Sequence, residues 1–174
     1  MSCDLLKGRK TYCKTVGGLK DVYFVNFGGI PEANVTYDAN GQTITTISGV
    51  PDAFKYELHL GNDLTQNINS DPKNGTTFIE QVLSLTLKVL TGTDNIEILK
   101  MAYNRLHIII EDQMDNRWIV GLINGADVTG GTAVTGAEMA DLNGYTLVFT
   151  GNEKVFANEY TGDLTTEFNI VVGA

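Results

Sequence analysis

Few residues of this chain are of a type that does chemistry, and most of those stand in patterns that read as structure. His59 and His107 are the only histidines. Each lies within a strand-like run with no nucleophile motif such as GxSxG beside it, so both are assigned structural roles. Glu111, Asp112 and Asp115 gather around a polar turn. They could hold a cation or act as an acid and base pair, as glycoside hydrolysis requires two carboxylates facing one bond, but three acids in a polar turn read first as a solvated loop. Asp38-Ala39-Asn40-Gly41 and Asp141-Leu142-Asn143-Gly144 share the D-x-N-G opening of a calcium loop. Their fifth positions are Gln42 and Tyr145 and their twelfth are Gly49 and Asn152, where the loop needs an oxygen ligand and a bidentate Glu. Both therefore read as hairpin turns.

The remaining candidates fail in the same way. Gly28-Gly29 and Gly130-Gly131 are not followed by a Lys-Ser/Thr pair or a helix start, so no phosphate cradle is expected. Cys3 and Cys13 form no CxxC pair and have no histidine near them to complete a zinc set. Trp118 lies in an apolar run and reads as core before it reads as a sugar platform. No catalytic, cofactor-binding or metal-ligating residue is assigned, and the chain is not expected to be an enzyme.

Composition narrows the field further. The 174 residues suit a single domain, read as an N-terminal arm over 1–18 and a β-rich domain over 19–174. The arm carries Lys7, Arg9, Lys10 and Lys14 without a clear period. It is either a frayed terminus or a lace between neighbouring subunits. Twelve basic against 21 acidic residues give a net charge of -9, which argues against tight binding to nucleic acid through a basic patch. An acidic wall can nevertheless serve beside DNA, because like charge keeps a polyanion from sticking to it. No signal-like opening is evident and no apolar run approaches the roughly 18 residues of a membrane span. Free thiols and assembly in a reducing cytoplasm are expected.

The elements that would position a site are mostly strands. Leu19 to Phe27 is rich in aromatic and β-branched residues, and Val35 to Tyr37 and Thr43 to Ile47 flank Asn40-Gly41, a strong hairpin signal. The stretch from Glu57 to Ile123 organises the rest. Phe54, Tyr56, Leu58 and Leu60 alternate with polar residues, as do Ile79, Leu83, Leu85, Leu87 and Val89. Between them Asn69 to Gly75 can reverse the chain, which predicts one long hairpin with a polar tip. Asp94 and Glu97 have capping-box spacing and predict a short helix from Asp94, with Ile98, Leu99, Ala102 and Tyr103 on its apolar face. Leu106 to Ile110 and Trp118 to Ile123 predict strands covered on both sides. Val155 to Tyr160 and Leu164 to Val172 predict the last two. The fold class is mainly β, a sandwich or barrel of antiparallel hairpins with one short α-helix.

This order of elements resembles the tail-tube fold of bacteriophages, shared by related tube and ring proteins. The segment Arg117 to Tyr160, with Leu122-Ile123-Asn124-Gly125, Thr135-Gly136-Ala137, Asp141 to Leu147 and Glu153, is similar to virion structural proteins of phages that infect Bacteroidetes. The resemblance implies a protein of the virion tail with a mechanical role. Subunits would form a homo-oligomeric ring, commonly a hexamer, whose hairpins join into one β-barrel around a channel. DNA would pass as non-specific cargo, the partners would be other tail or connector proteins, and no membrane would be involved. Glu57, His59, Glu80, Ser84, Thr86 and Lys88 would then lie on or near the channel face. Asp71, Pro72, Lys73 and Asn74 would meet the next ring. A collar ring of a short-tailed phage is the alternative within the class. Outside it stand a monomeric β-sandwich module binding glycan or protein through Trp118 or Tyr145, and an enzyme using Glu111, Asp112 and Asp115.

Overall fold

A computed structural model describes residues 8–9, 14–59 and 61–173. Cys3, Cys13, Leu60 and most of the expected arm lie outside the described residues. The first strand, β1 (Leu19–Asn26), is buried on both faces along Val22–Val25 and is central to the fold, as that apolar run requires. It pairs antiparallel with β4 (Asp52–Glu57) on one side and with β7 (Leu106–Asp112) on the other. Between β1 and β4 the chain forms a 3-10 turn (Glu32–Asn34) and the hairpin of β2 (Val35–Tyr37) and β3 (Thr43–Ile47). The Asp38 carboxylate caps that hairpin's turn by accepting from the N–H groups of Gln42 and Thr43 at 3.1 and 3.2 Å.

The long hairpin exists, but its first arm is not the segment with the apolar alternation. β5 (Asp63–Asp71) is the arm that pairs with β6 (Thr76–Lys88), while β4 stays with β1 in a different sheet. Phe54 and Tyr56 alternate because they meet core across β1, and alternation alone does not name the partner strand.

The helix α1 (Gly92–Tyr103) begins earlier than expected. Thr91 is its N-cap: the Thr91 hydroxyl accepts from the Asp94 N–H at 3.1 Å and donates to the Asp94 carboxylate at 2.6 Å. Asp94 is therefore the third residue of the helix rather than its cap. The buried side is also rotated, with Met101 buried and Ile98 against the core, whereas Leu99 and Tyr103 are exposed.

After β7 the hairpin continues into β8 (Arg117–Val120), which stops short of the expected Ile123 because residues 121–125 turn the chain toward the second sheet. There β9 (Asp127–Val134) and β10 (Gly144–Glu153) pair with each other, and β10 pairs with β6 over ten rows. β11 (Asn158–Tyr160), α2 (Leu164–Glu167) and β12 (Asn169–Val172) finish the chain. The expected final strand thus splits, because Asp163 caps a helical turn by accepting from the Thr165 N–H at 2.9 Å.

The result is mainly β, in two open sheets. The larger runs β12-β4-β1-β7-β8-β11-β3-β2 and the smaller β5-β6-β10-β9. Hairpins do not account for all of it, since β11 pairs parallel with β3 and β12 parallel with β4. Phe24, Ile108, Leu83, Leu85, Leu147 and Phe149 interleave between the sheets, with α1 closing one side. Each such fully buried side chain contributes about 2 kcal/mol. On its other face the larger sheet holds a second core around Ile44, Ile109, Ile119, Tyr160 and Phe168. There Glu167 accepts from the Ile47 N–H at 2.6 Å and from the Tyr160 hydroxyl at 2.8 Å.

Candidate functional site

The smaller sheet has one face in the core and one in solvent. Along β6 the residues Ile79, Gln81, Leu83 and Leu85 are buried, and the alternate set Glu80, Val82, Ser84, Thr86 and Lys88 points the other way. Straight rows across the solvent face run Thr86, Thr146, Thr132 and then Asp63, Ser84, Val148, Gly130. Hydroxyl pairs tie the strands together, with Thr132 to Thr146 at 2.6 Å and Thr129 to Thr150 at 2.8 Å. Asn67 donates to Glu80 at 3.1 Å. The wall is mostly neutral and polar, with charge at its margins on Asp63, Glu80, Lys88 and Asp127.

Of the six residues placed on a channel face, Glu80, Ser84, Thr86 and Lys88 share this surface. Glu57 and His59 do not. Glu57 ends β4 opposite Asp21 in the larger sheet, and His59 lies between β4 and β5. The tip residues Asp71, Pro72, Lys73 and Asn74 are brought together. Asp71 accepts from the Lys73 and Asn74 N–H groups at 2.9 and 3.3 Å, which leaves Pro72, Lys73 and Asn74 exposed at the end of the hairpin. The tip projects beyond the sheet, because β10 accompanies β6 only as far as Ile79.

The residues weighed for chemistry are engaged elsewhere. Glu111 is buried between Arg117 at 2.9 Å and Lys20 at 3.0 Å. Burial alone would raise its carboxyl, but hydrogen bonds from these two cations outweigh that and hold it below the ordinary range. Lys20 also holds Asp115 at 2.8 Å and lowers its pKa. Asp112 accepts from the Met114 and Asn116 N–H groups, closing the turn. Asp141 does the same for Ala137 and Glu138. Among the described residues no three His, Cys, Asp or Glu side chains gather as a metal site. Trp118 packs against the core between the sheets, and the Tyr145 hydroxyl lies 2.6 Å from the Asn95 side-chain oxygen.

His107 is buried beneath Phe27, with Nε2 accepting from the Gly28 N–H at 3.1 Å and Nδ1 2.9 Å from the Gly121 carbonyl. This assigns the proton to Nδ1, and a second proton on Nε2 would face a donor. Burial lowers its pKa below 6.5, partly opposed by the Gly121 bond. The unfolded chain then binds the extra proton first, so this contribution to stability is complete above pH 6.5 and is lost as pH falls toward the folded value. Melting temperature is expected to fall between pH 7 and 5, and a His107→Gln variant to show a flatter profile over that interval in thermal melts.

Sequence reasoning missed the edges. Among the described residues β5 and β9 each have one side without a partner strand, and neither carries a Lys, Arg or Pro. Such side chains commonly guard an exposed edge. No protein-family model, curated protein or solved structure was found to match the chain.

Proposed function

We propose that this chain is a structural virion protein that assembles into rings of a phage tail tube, lining a channel through which DNA passes. One observation carries the reading: among the described residues, a four-stranded antiparallel sheet with a polar outer face is open at both edges. Its strands alternate in direction and are even in number, so the free sides of β5 and β9 run opposite ways. Copies related by rotation would therefore meet as an antiparallel pair, and closure would satisfy both edges of this smaller sheet.

The dimensions agree with a channel. Six copies would give a barrel of about 24 strands, which at ~4.8 Å spacing and ~36° tilt is about 45 Å across at the backbone. A side-chain layer of about 5 Å on each side leaves roughly 35 Å, wider than a DNA duplex. The channel wall would be Glu80, Ser84, Thr86 and Lys88 with the threonines of β9 and β10. A neutral to acidic wall offers DNA little to bind, in keeping with the net charge of -9. The tip from Asp71 to Asn74 would meet the next ring, and no catalytic step is involved.

Sedimentation of the purified protein with electron microscopy tests this. Rings are expected, and long hollow tubes at higher concentration. Assembly that stops at one ring favours a collar. A strict monomer at all concentrations overturns the reading.

A further inference from the structure

Opposite edges of the smaller sheet carry complementary features. Beside β9, the helix α1 bounds an apolar groove of ≈ 430 Å³ lined by Ile98, Leu99, Ala102, Val128 and Ala133, with Leu99 55% exposed. On β5 the residues directed to the core side are Leu64, Gln66 and Ile68, in register with Leu83, Gln81 and Ile79. Ile68 is nonetheless 63% exposed, although its face is the one that elsewhere packs in the core. An apolar side chain on one edge and an apolar groove on the other suit two copies of the same chain.

The register follows from the pairing rows. A straight row runs Asp127, Thr150, Val82, Thr65, so without stagger the next copy's Thr65 would stand opposite Asp127. Residues 131–134 of β9 would then have no partner, since β5 starts at Asp63. Pairing all of β9 while keeping core-side residues on the core side requires Asn69 or Asp71 opposite Asp127. A barrel tilted by ~36° staggers about one residue per strand, hence about four per four-stranded subunit. Four residues beyond Thr65 is Asn69.

Resting on the ring reading above, we infer that β5 of one copy pairs with β9 of the next with Asn69 opposite Asp127, and that Ile68 closes the groove under α1 beside Val128. Skipping the bulge between Val128 and Gly130, Gln66 then faces Gly131 and Leu64 faces Ala133. Thr65 meets Thr132 on the channel side. The glycine leaves room for the Gln66 side chain where a larger residue would crowd it.

Cysteine cross-linking tests the register in full-length protein whose Cys3 and Cys13 are replaced by Ser. On oxidation, Ile68→Cys with Val128→Cys is expected to give a covalent ladder up to the closed ring on a non-reducing gel. Leu64→Cys with Val128→Cys, the pair of the unstaggered register, should give none. Thr65→Cys with Thr132→Cys uses exposed positions and keeps the test valid should the first pair disturb folding. Ile68→Asp should leave the melting temperature near wild type and raise the assembly midpoint about tenfold or more. Rings that cross-link through Leu64, or through neither staggered pair, overturn the register and leave the ring reading standing. A chain that never assembles overturns both.

Discussion

Replacing Gly121 by Ala is expected to lower the melting temperature by about 6–12 °C. Gly121 has φ +65°, and a Cβ there would lie 2.5 Å from the Gly125 carbonyl carbon and 2.6 Å from the Ala126 nitrogen. Both obstacles are backbone, so no rotamer change relieves them. The left-handed conformation and the overpacking together cost about 3 kcal/mol. The turn cannot shift to accommodate the methyl, because three strands hold it. Gln81 of β6 accepts from the Gly121 N–H at 3.0 Å, and His107 of β7 bonds the Gly121 carbonyl. Glu153 of β10 accepts from the Ile123 and Asn124 N–H groups at 2.9 and 2.8 Å. This is where the chain leaves the larger sheet for the smaller, so the strain falls on the junction between them. Gly130→Ala is the control: its Cβ would meet nothing within 4 Å, and the melt should match wild type within about 1 °C. A Gly121→Ala protein melting with wild type would show that the junction is loose.

The same junction explains what could and could not be read from the sequence. Local signals were legible. Asn40-Gly41 gives the β2–β3 hairpin, the apolar run of β7 gives a strand covered twice, and the alternation of β6 separates Glu80, Ser84, Thr86 and Lys88 from the core. Partner choice was not legible, because a period of two is the same whichever strand lies alongside. β4 therefore seemed to belong with β6, carrying Glu57 and His59 to the wrong sheet. The true arm, β5, is an edge strand whose only apolar residues are Leu64 and Ile68, a signal too thin to stand out. Thr91 and Asp94 both have cap chemistry three residues before an acid, and only the hydrogen bonds distinguish them. The buried Gln81, His107 and Glu153 bond to backbone 14 to 79 residues away, and no local pattern of residues announces such bonds.

Removing the hairpin tip is expected to separate folding from stacking. Ile68 and Ile79 are directly paired, so replacing residues 69–78 by Asn-Gly would close β5 on β6 with a two-residue turn. The deleted residues lie beyond the last row that β10 shares with β6, and Phe78 among them is 44% exposed. Little core is lost, and the melting temperature should stay within about 4 °C of wild type. On the ring reading, the contacts between rings go with Asp71, Pro72, Lys73 and Asn74. Tubes visible in electron micrographs should then disappear, while single rings persist in sedimentation because Ile68 and most of the β5 edge remain. The tip charges argue for the same division: Asp71 is engaged with the turn's own N–H groups, whereas Lys73 is exposed toward whatever lies beyond the hairpin. Lys73→Glu should accordingly shorten tubes without removing rings, an effect that weakens in high salt. Tubes of normal length from the tip-deleted protein would move the inter-ring contact elsewhere. A tip-deleted protein that fails to fold would make the hairpin end part of the domain's own stability.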